Sequence, residues 1–286
     1  MQKFSLWVLR HPRVGLALLL SAPLLWLVVA YLGSLAVMLV SAFWSVDSFT
    51  GAVQHVLTFN NFQTLASQSV YRVVAVRSIT VAVLVTVFDA LVAVPVALFI
   101  AKVLPAKYRN WAVVLVVLPL WASYLVKTYA WRTLFADGGV LDWALAPLGL
   151  HAPSYGLLAT TVTLAYLWFP YMALPVYAAV DKLPDSLLEA SGDLGASPWQ
   201  TVRHIVLPMV YPALIAGAIF TFSLTLGDYI VVKIVGGKTQ LFANIVFDNI
   251  GTAGNLPFAA AAATVPIVTV VGFLFLVRRT GALENL

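Results

Sequence analysis

Leu187-Leu-Glu-Ala-Ser-Gly-Asp-Leu-Gly-Ala-Ser-Pro-Trp-Gln-Thr-Val-Arg-His-Ile-Val-Leu-Pro208 is the longest run in the chain that reads as water-facing helix, and apolar segments of membrane-spanning length flank it. Ser197-Pro198-Trp199-Gln200 predicts a helix start. Ser197 is placed to cap, Pro198 suits the first helical position and Gln200 completes a capping box. Ser186-Leu187-Leu188-Glu189 predicts a preceding helix in the same way. Glu189-Ala190-Ser191-Gly192 and Gly195-Ala196 are small, so another surface can approach closely. The stretch therefore predicts two short helices meeting at a turn near Gly195 and Ala196, with Leu207-Pro208 closing the second before the next apolar run.

Working outward, the composition leaves one class. Of 286 residues 62% are hydrophobic and 9% charged, against about 25% charged in soluble domains. A soluble fold of this size cannot hide so much apolar surface, so the chain is an all-α polytopic membrane protein surrounded by lipid. There is no cysteine, hence no disulfide or thiolate metal site. The net charge of +5 comes without a basic run interleaved with aromatics, so nucleic acid is not a partner.

The apolar pattern predicts six spans, at about 14–43, 79–101, 111–131, 155–180, 209–232 and 258–277, in a single domain over residues 1–286. The first run is much longer than a signal h-region and reads as an uncleaved span, bent or divided near Pro23 and Gly33. Residues 44–78 read as an outer loop with a short amphipathic helix. Phe169-Pro170-Tyr171 is expected to kink the fourth span. Lys3, Arg10, Arg13, Lys102, Lys107, Arg109, Lys182, Arg203, Arg278 and Arg279 fall on one side. Arg72, Arg77, Lys127, Arg132, Lys233 and Lys238 fall on the other. That bias places both termini and the 181–208 loop in the cytoplasm.

Glu189-Ala190-Ser191, then Gly195 and Leu207-Pro208, resembles the EAA loop of type I ABC importer permeases, with Ser191 where the family usually has Ala. Pro119-Leu120-Trp121…Tyr129-Ala130-Trp131 is similar to a run in the spermidine/putrescine-type branch. The resemblance implies a coupling loop of Glu189, Ala190, Ser191, Gly192, Gly195, Ala196, Leu207 and Pro208. It also implies a second, homologous permease subunit, two ATPase subunits that bind ATP and Mg, a periplasmic substrate-binding protein, and a bacterial inner membrane. No cofactor is expected in this chain itself. A polyamine-like cation is the favoured solute. Related permeases are associated with iron, thiamine, opines and phosphonates.

Other motifs fail. Gly237-Lys238-Thr239 looks like the end of a P-loop, but the first glycine would have to stand at Val232. The four histidines are scattered without metal-ligand spacing, and no nucleophile motif is present. An enzyme is not expected. A secondary transporter usually carries an internal repeat; none is visible, and it would leave the 181–208 loop unexplained. A structural assembly factor predicts no solute path. Asp89 and Asp228 lie within spans, where a charge costs about 2.5–3.5 kcal/mol on insertion scales. Asp89 suits either a solute path or subunit contact, or a hydrogen bond to a neighbouring hydroxyl or backbone. Asp228, followed by Tyr229, suits either the path or an ion pair with Lys127 or Lys233. Trp121, Tyr124, Tyr129 and Trp131 fit an aromatic cage for a cation or an interfacial belt.

Overall fold

The computed structural model describes residues 12–47 and 49–278; Lys3, Arg10 and Arg279, which enter the charge count, lie outside them. α1 runs through Pro12–Trp26, a π-helical stretch Leu27–Leu32 and Gly33–Ser41. A two-stranded hairpin, β1 (Ser45–Val46) and β2 (Val53–Gln54), and the short α2 (Asn60–Ser67) follow. α3 is Ser69–Leu98, continued by a π-helical Phe99–Val103. α4 (Ala106–Trp121), α5 (Tyr124–Leu134), α6 (Val140–Leu145), α7 (Leu157–Asp181) and α8 (Asp185–Asp193) come next. α9 runs from Pro198–Thr201 through a π-helical Val202–Val206 into Leu207–Gly227. α10 (Ile230–Val235), α11 (Phe242–Gly251) and α12 (Leu256–Arg278) complete the chain.

Among the described residues five helices are long and apolar enough to cross a membrane: Leu19–Ser41, Ser69–Val103, Leu157–Asp181, Pro198–Gly227 and Leu256–Arg278. The run expected as the third span, about 111–131, is broken. α4 and α5 meet at 95° because Ala122 and Ser123 are both extended. Apolar residues continue across the break, so hydropathy alone reads one span there.

Two further expectations are corrected. α3 starts at Ser69, ten residues before the expected span, so Arg72 and Arg77 stand on the helix rather than in a loop. Leu207-Pro208 does not close a helix: α9 is continuous from Pro198 to Gly227. A proline ring displaces the carbonyl four residues earlier. For Pro208 that residue is His204, which lies inside the π-helical stretch, where the wider turn accommodates the ring. α9 then ends at Gly227, with Asp228 extended, short of the expected Val232.

α3, α7 and α9 form the centre. Ala93, Ala97, Ala101, Met172, Val176, Val180, Val206 and Val210 make one buried cluster between them. A second cluster joins α12 and α11 to the end of α1 and to α2. Small residues let the helices approach where no hydrophobic drive separates them from lipid. At Gly217 of α9, an added Cβ would lie 2.6 Å from Met172 Sδ and 2.9 Å from Met172 Cα. Gly217→Leu is therefore expected to destabilise the solubilised protein by about 1–3 kcal/mol or more, read as a lower thermal midpoint, with Gly217→Ala intermediate. Several hydroxyls inside the bundle are bonded locally or across helices. Thr221 donates to Thr86 at 3.4 Å, and Ser78 of α3 accepts the Phe242 amide that opens α11 at 2.8 Å.

Candidate coupling loop and solute recess

α8 and the start of α9 form a helical hairpin at one end of the bundle. α8 begins at Asp185, directly after Pro184, so Ser186 lies inside the helix and does not cap it. Its end is a Schellman turn. Gly195 N–H donates to Gly192 O at 2.8 Å and Ala196 N–H to Ser191 O at 3.0 Å, with Gly195 at φ 75°. A side chain there would cost about 1–2 kcal/mol in that left-handed conformation. Ser197 then caps α9 as its sequence indicates. Its Oγ accepts the Gln200 amide and its own amide donates to Gln200 Oε1 at 2.7 Å.

Ser191 finds its reason here. It is buried, and its Oγ shares a hydrogen bond of 2.7 Å with Thr201 Oγ1 across the hairpin. Leu188 packs on the central cluster. Lys102, at the end of α3, reaches the loop and bonds Asp185 Oδ1 at 2.8 Å. The Lys102 hydrogen bond and charge hold that carboxyl below the ordinary carboxylate range.

The opposite face of the hairpin is open. Glu189, Ala190 and Gly192 are exposed and Ala196 is half-buried. Leu194 is 89% exposed and Trp199 66%. The sequence reading singled out neither, although each is a large apolar side chain in a polar loop. Leu207 and Pro208, about two helical turns beyond Trp199, are partly buried and exposed respectively.

Thirty residues of α9 separate this hairpin from Gly227, about 45 Å at 1.5 Å per residue. There the chain breaks at Asp228 and Tyr229 before α10. Tyr124, Trp168, Ser223, Leu224, Gly227, Asp228, Tyr229 and Ile230 line a recess of 270 Å³. Asp228 Oδ1 accepts the Val231 amide at 2.9 Å and Oδ2 accepts the Tyr124 hydroxyl. Neither ion pair considered for Asp228 forms among the described residues: Lys233 Nζ bonds Asp248 Oδ1 at 2.6 Å and lies 4.1 Å from the Phe247 ring centre. Tyr229 stacks on Phe247 with centroids 4.4 Å apart. Tyr124 stacks on Trp168, Trp168 meets Tyr171, and Tyr171 stacks on Phe220, giving an aromatic column from the recess along α7 and α9. Trp168 and Phe220 carried no signal in sequence, because both sit in uniformly apolar runs.

The structure does not bring all candidates to this recess. Trp121 is 79% exposed on the far side of the α4–α5 bend. Trp131 packs against Phe135 and Tyr166, and Tyr129 is exposed. Asp89 is fully buried within α3, and among the described residues neither of its carboxyl oxygens has a hydrogen-bond partner, so the expected hydroxyl or backbone bond is not formed. No group of histidine and carboxylate side chains suited to a metal exists among the described residues.

The family described as "Binding-protein-dependent transport system inner membrane component" matches residues 74–279. The chain is 42% identical over 299 residues to the inner membrane ABC transporter permease protein YdcU of Escherichia coli K12, covering 99% of this chain and 95% of that protein. It is 30% identical to the spermidine/putrescine transport system permease protein PotB of Haemophilus influenzae, covering 80% and 81%. A chain in the structure of a bacterial alginate ABC transporter has the same fold, with a TM-score of 0.75 at 18% identity over 93% of each chain. A chain of the MetNI methionine ABC transporter matches with a TM-score of 0.57 at 20% identity, over 72% of this chain and 92% of that one.

Proposed function

The chain belongs to the binding-protein-dependent transport system inner membrane component family, and from that premise we propose that it passes a polyamine-like cation through the Asp228 recess while its α8–α9 hairpin docks on an ATPase subunit. As a member of that family it is a multi-pass permease subunit of an ABC importer, and its task is transport. ATP and Mg are bound by the partner ATPase. A second permease subunit completes the path, and a periplasmic binding protein delivers the solute. Both termini and the hairpin lie on the cytoplasmic side of a bacterial inner membrane.

The observation that carries the reading is the continuity of α9. One helix holds Thr201, bonded into the hairpin, at one end and leads into Asp228 at the other. A displacement of the hairpin therefore reaches the recess without crossing a loop. The cationic solute is supported by the recess chemistry, a carboxylate beside Tyr124, Trp168 and Tyr229, and by the spermidine/putrescine permeases among the relatives.

Two measurements test this. In proteoliposomes holding the chain with its ATPase and partner permease, spermidine-loaded binding protein is expected to stimulate ATP hydrolysis and uptake together; uptake driven by an ion gradient without ATP would overturn it. The chain has no native cysteine, so single cysteines report its orientation. One at Ser154 or Asn255 is expected to react with an impermeant thiol reagent from outside, and one at Ser186 or Gln200 only after the membrane is opened. The reverse pattern would invert the topology.

A further inference from the structure

Lys102 sits in an unusual place for a lysine near the end of a membrane helix. A long flexible stem there normally snorkels, carrying the ammonium to the headgroups or water. Here the side chain is only 14% exposed. Its Nζ donates to the Leu183 carbonyl at 2.6 Å and to Asp185 Oδ1 at 2.8 Å. Leu183 lies just past the end of α7, where carbonyls lack helical partners and a cation is favourable. Asp185 is the first residue of α8. One ammonium thus bridges α3, the end of α7 and the start of the docking helix.

The local backbone explains the aim of the side chain. Lys102 lies in the π-helical Phe99–Val103, whose wider turn re-registers side chains relative to an α-helix. The facing π-helical Val202–Val206 lies at the start of α9. Ala101 from the first, Val206 from the second and Leu183 between them belong to one buried cluster. The hairpin therefore stands on a packed platform, and Lys102 is its charge-assisted tie to α3. Within the hairpin, the Ser191 to Thr201 bond ties α8 to α9.

We propose that Lys102 is a positioning residue for coupling: it clasps the docking helix α8 to α3, so that a displacement of α8 moves α3 and α9 as one body. The inference rests on the reading that the α8–α9 hairpin docks on the ATPase subunit. Without the clasp α8 still docks, and still moves α9, but α3 is free to slip against it.

The test uses the complete transporter and three variants. Lys102→Met keeps the stem and removes the charge. It is expected to retain the ATPase subunit on purification and to hydrolyse ATP, with solute taken up per ATP lowered at least fivefold. Lys102→Arg, which can donate to both acceptors, is expected to restore most of that ratio. Asp185→Lys sets a cation against Lys102 at a position whose side chain is 74% exposed, so it leaves the buried cluster intact; it is expected to uncouple as Lys102→Met does. Spin labels on cysteines placed at Val103 and Asp193 add a direct readout. Their separation is expected to stay fixed between nucleotide states in the parent chain and to change in Lys102→Met. Normal uptake per ATP in Lys102→Met or Asp185→Lys overturns the clasp, as does a label separation that is unchanged in Lys102→Met. A parent chain that does not hold the ATPase subunit would instead overturn the docking reading, and the clasp with it.

Discussion

Leu194→Asp is expected to cut ATP-driven uptake at least tenfold and to release the ATPase subunit on purification, with the protein still folded in the membrane. Leu194 is 89% exposed at the turn of the hairpin among the described residues. Burying a leucine side chain against a partner contributes about 1.5–3 kcal/mol. Aspartate forfeits that and adds the cost of desolvating a charge in an apolar contact. A loss of about 1.4 kcal/mol already weakens binding tenfold. The fold is spared because the side chain buries little surface against the other described residues. Trp199→Ala is expected to act in the same direction, since aromatic anchors carry a large share of interface energy. Normal retention of the ATPase subunit by Leu194→Asp would remove this face of the hairpin from the interface.

The hairpin was legible because its signals are local. A proline at the first helical position, Ser197 and Gln200 three apart and a glycine after a helix are read within a few residues, and the capping box and the left-handed Gly195 follow from them. The membrane class was legible from composition alone. What escaped was set by tertiary packing. Pro208 reads locally as a stop, yet α9 passes through it because the π-helical stretch absorbs the ring and the helix is held on both sides by α3 and α7. Ala122-Ser123 reads as membrane-spanning, yet the chain turns there so that Tyr124 can reach Asp228 from a distant part of the sequence. The choice of Tyr124 rather than Lys127 as the partner of Asp228 depends on which face of α5 is turned inward, and the mixed sequence Tyr124-Leu-Val-Lys-Thr-Tyr129 does not specify that. Lys102 carried only a topological signal in sequence, one positive charge among ten on its side, because its acceptors are the carbonyl and the carboxylate of another loop.

Asp228→Asn is expected to lower cation uptake about tenfold or more, with assembly and basal ATP hydrolysis retained. The substitution is nearly isosteric. Its carbonyl oxygen can still accept the Val231 amide that opens α10, and its amide can donate to the Tyr124 oxygen, so both contacts of the native side chain keep a partner. No lysine is stranded by the change, because Lys233 is held by Asp248 and no ion pair joins Lys127 to Asp228 among the described residues. What is lost is the negative charge beside Tyr124, Trp168 and Tyr229, where a low dielectric makes the attraction for a passing cation large. Tyr124→Phe makes a contrasting case. It keeps the charge and frees Asp228 Oδ2, so the recess should hold a cation more tightly and release it more slowly, giving a lower KM together with a lower turnover. A path that binds its solute at Asp228 therefore predicts opposite effects on apparent affinity from two substitutions on the same hydrogen bond, whereas a purely structural bond predicts unchanged apparent affinity from both and a loss of stability from Tyr124→Phe alone. Transport kinetics with thermal midpoints for the two variants decide the matter, and unchanged uptake in Asp228→Asn would remove the recess from the path.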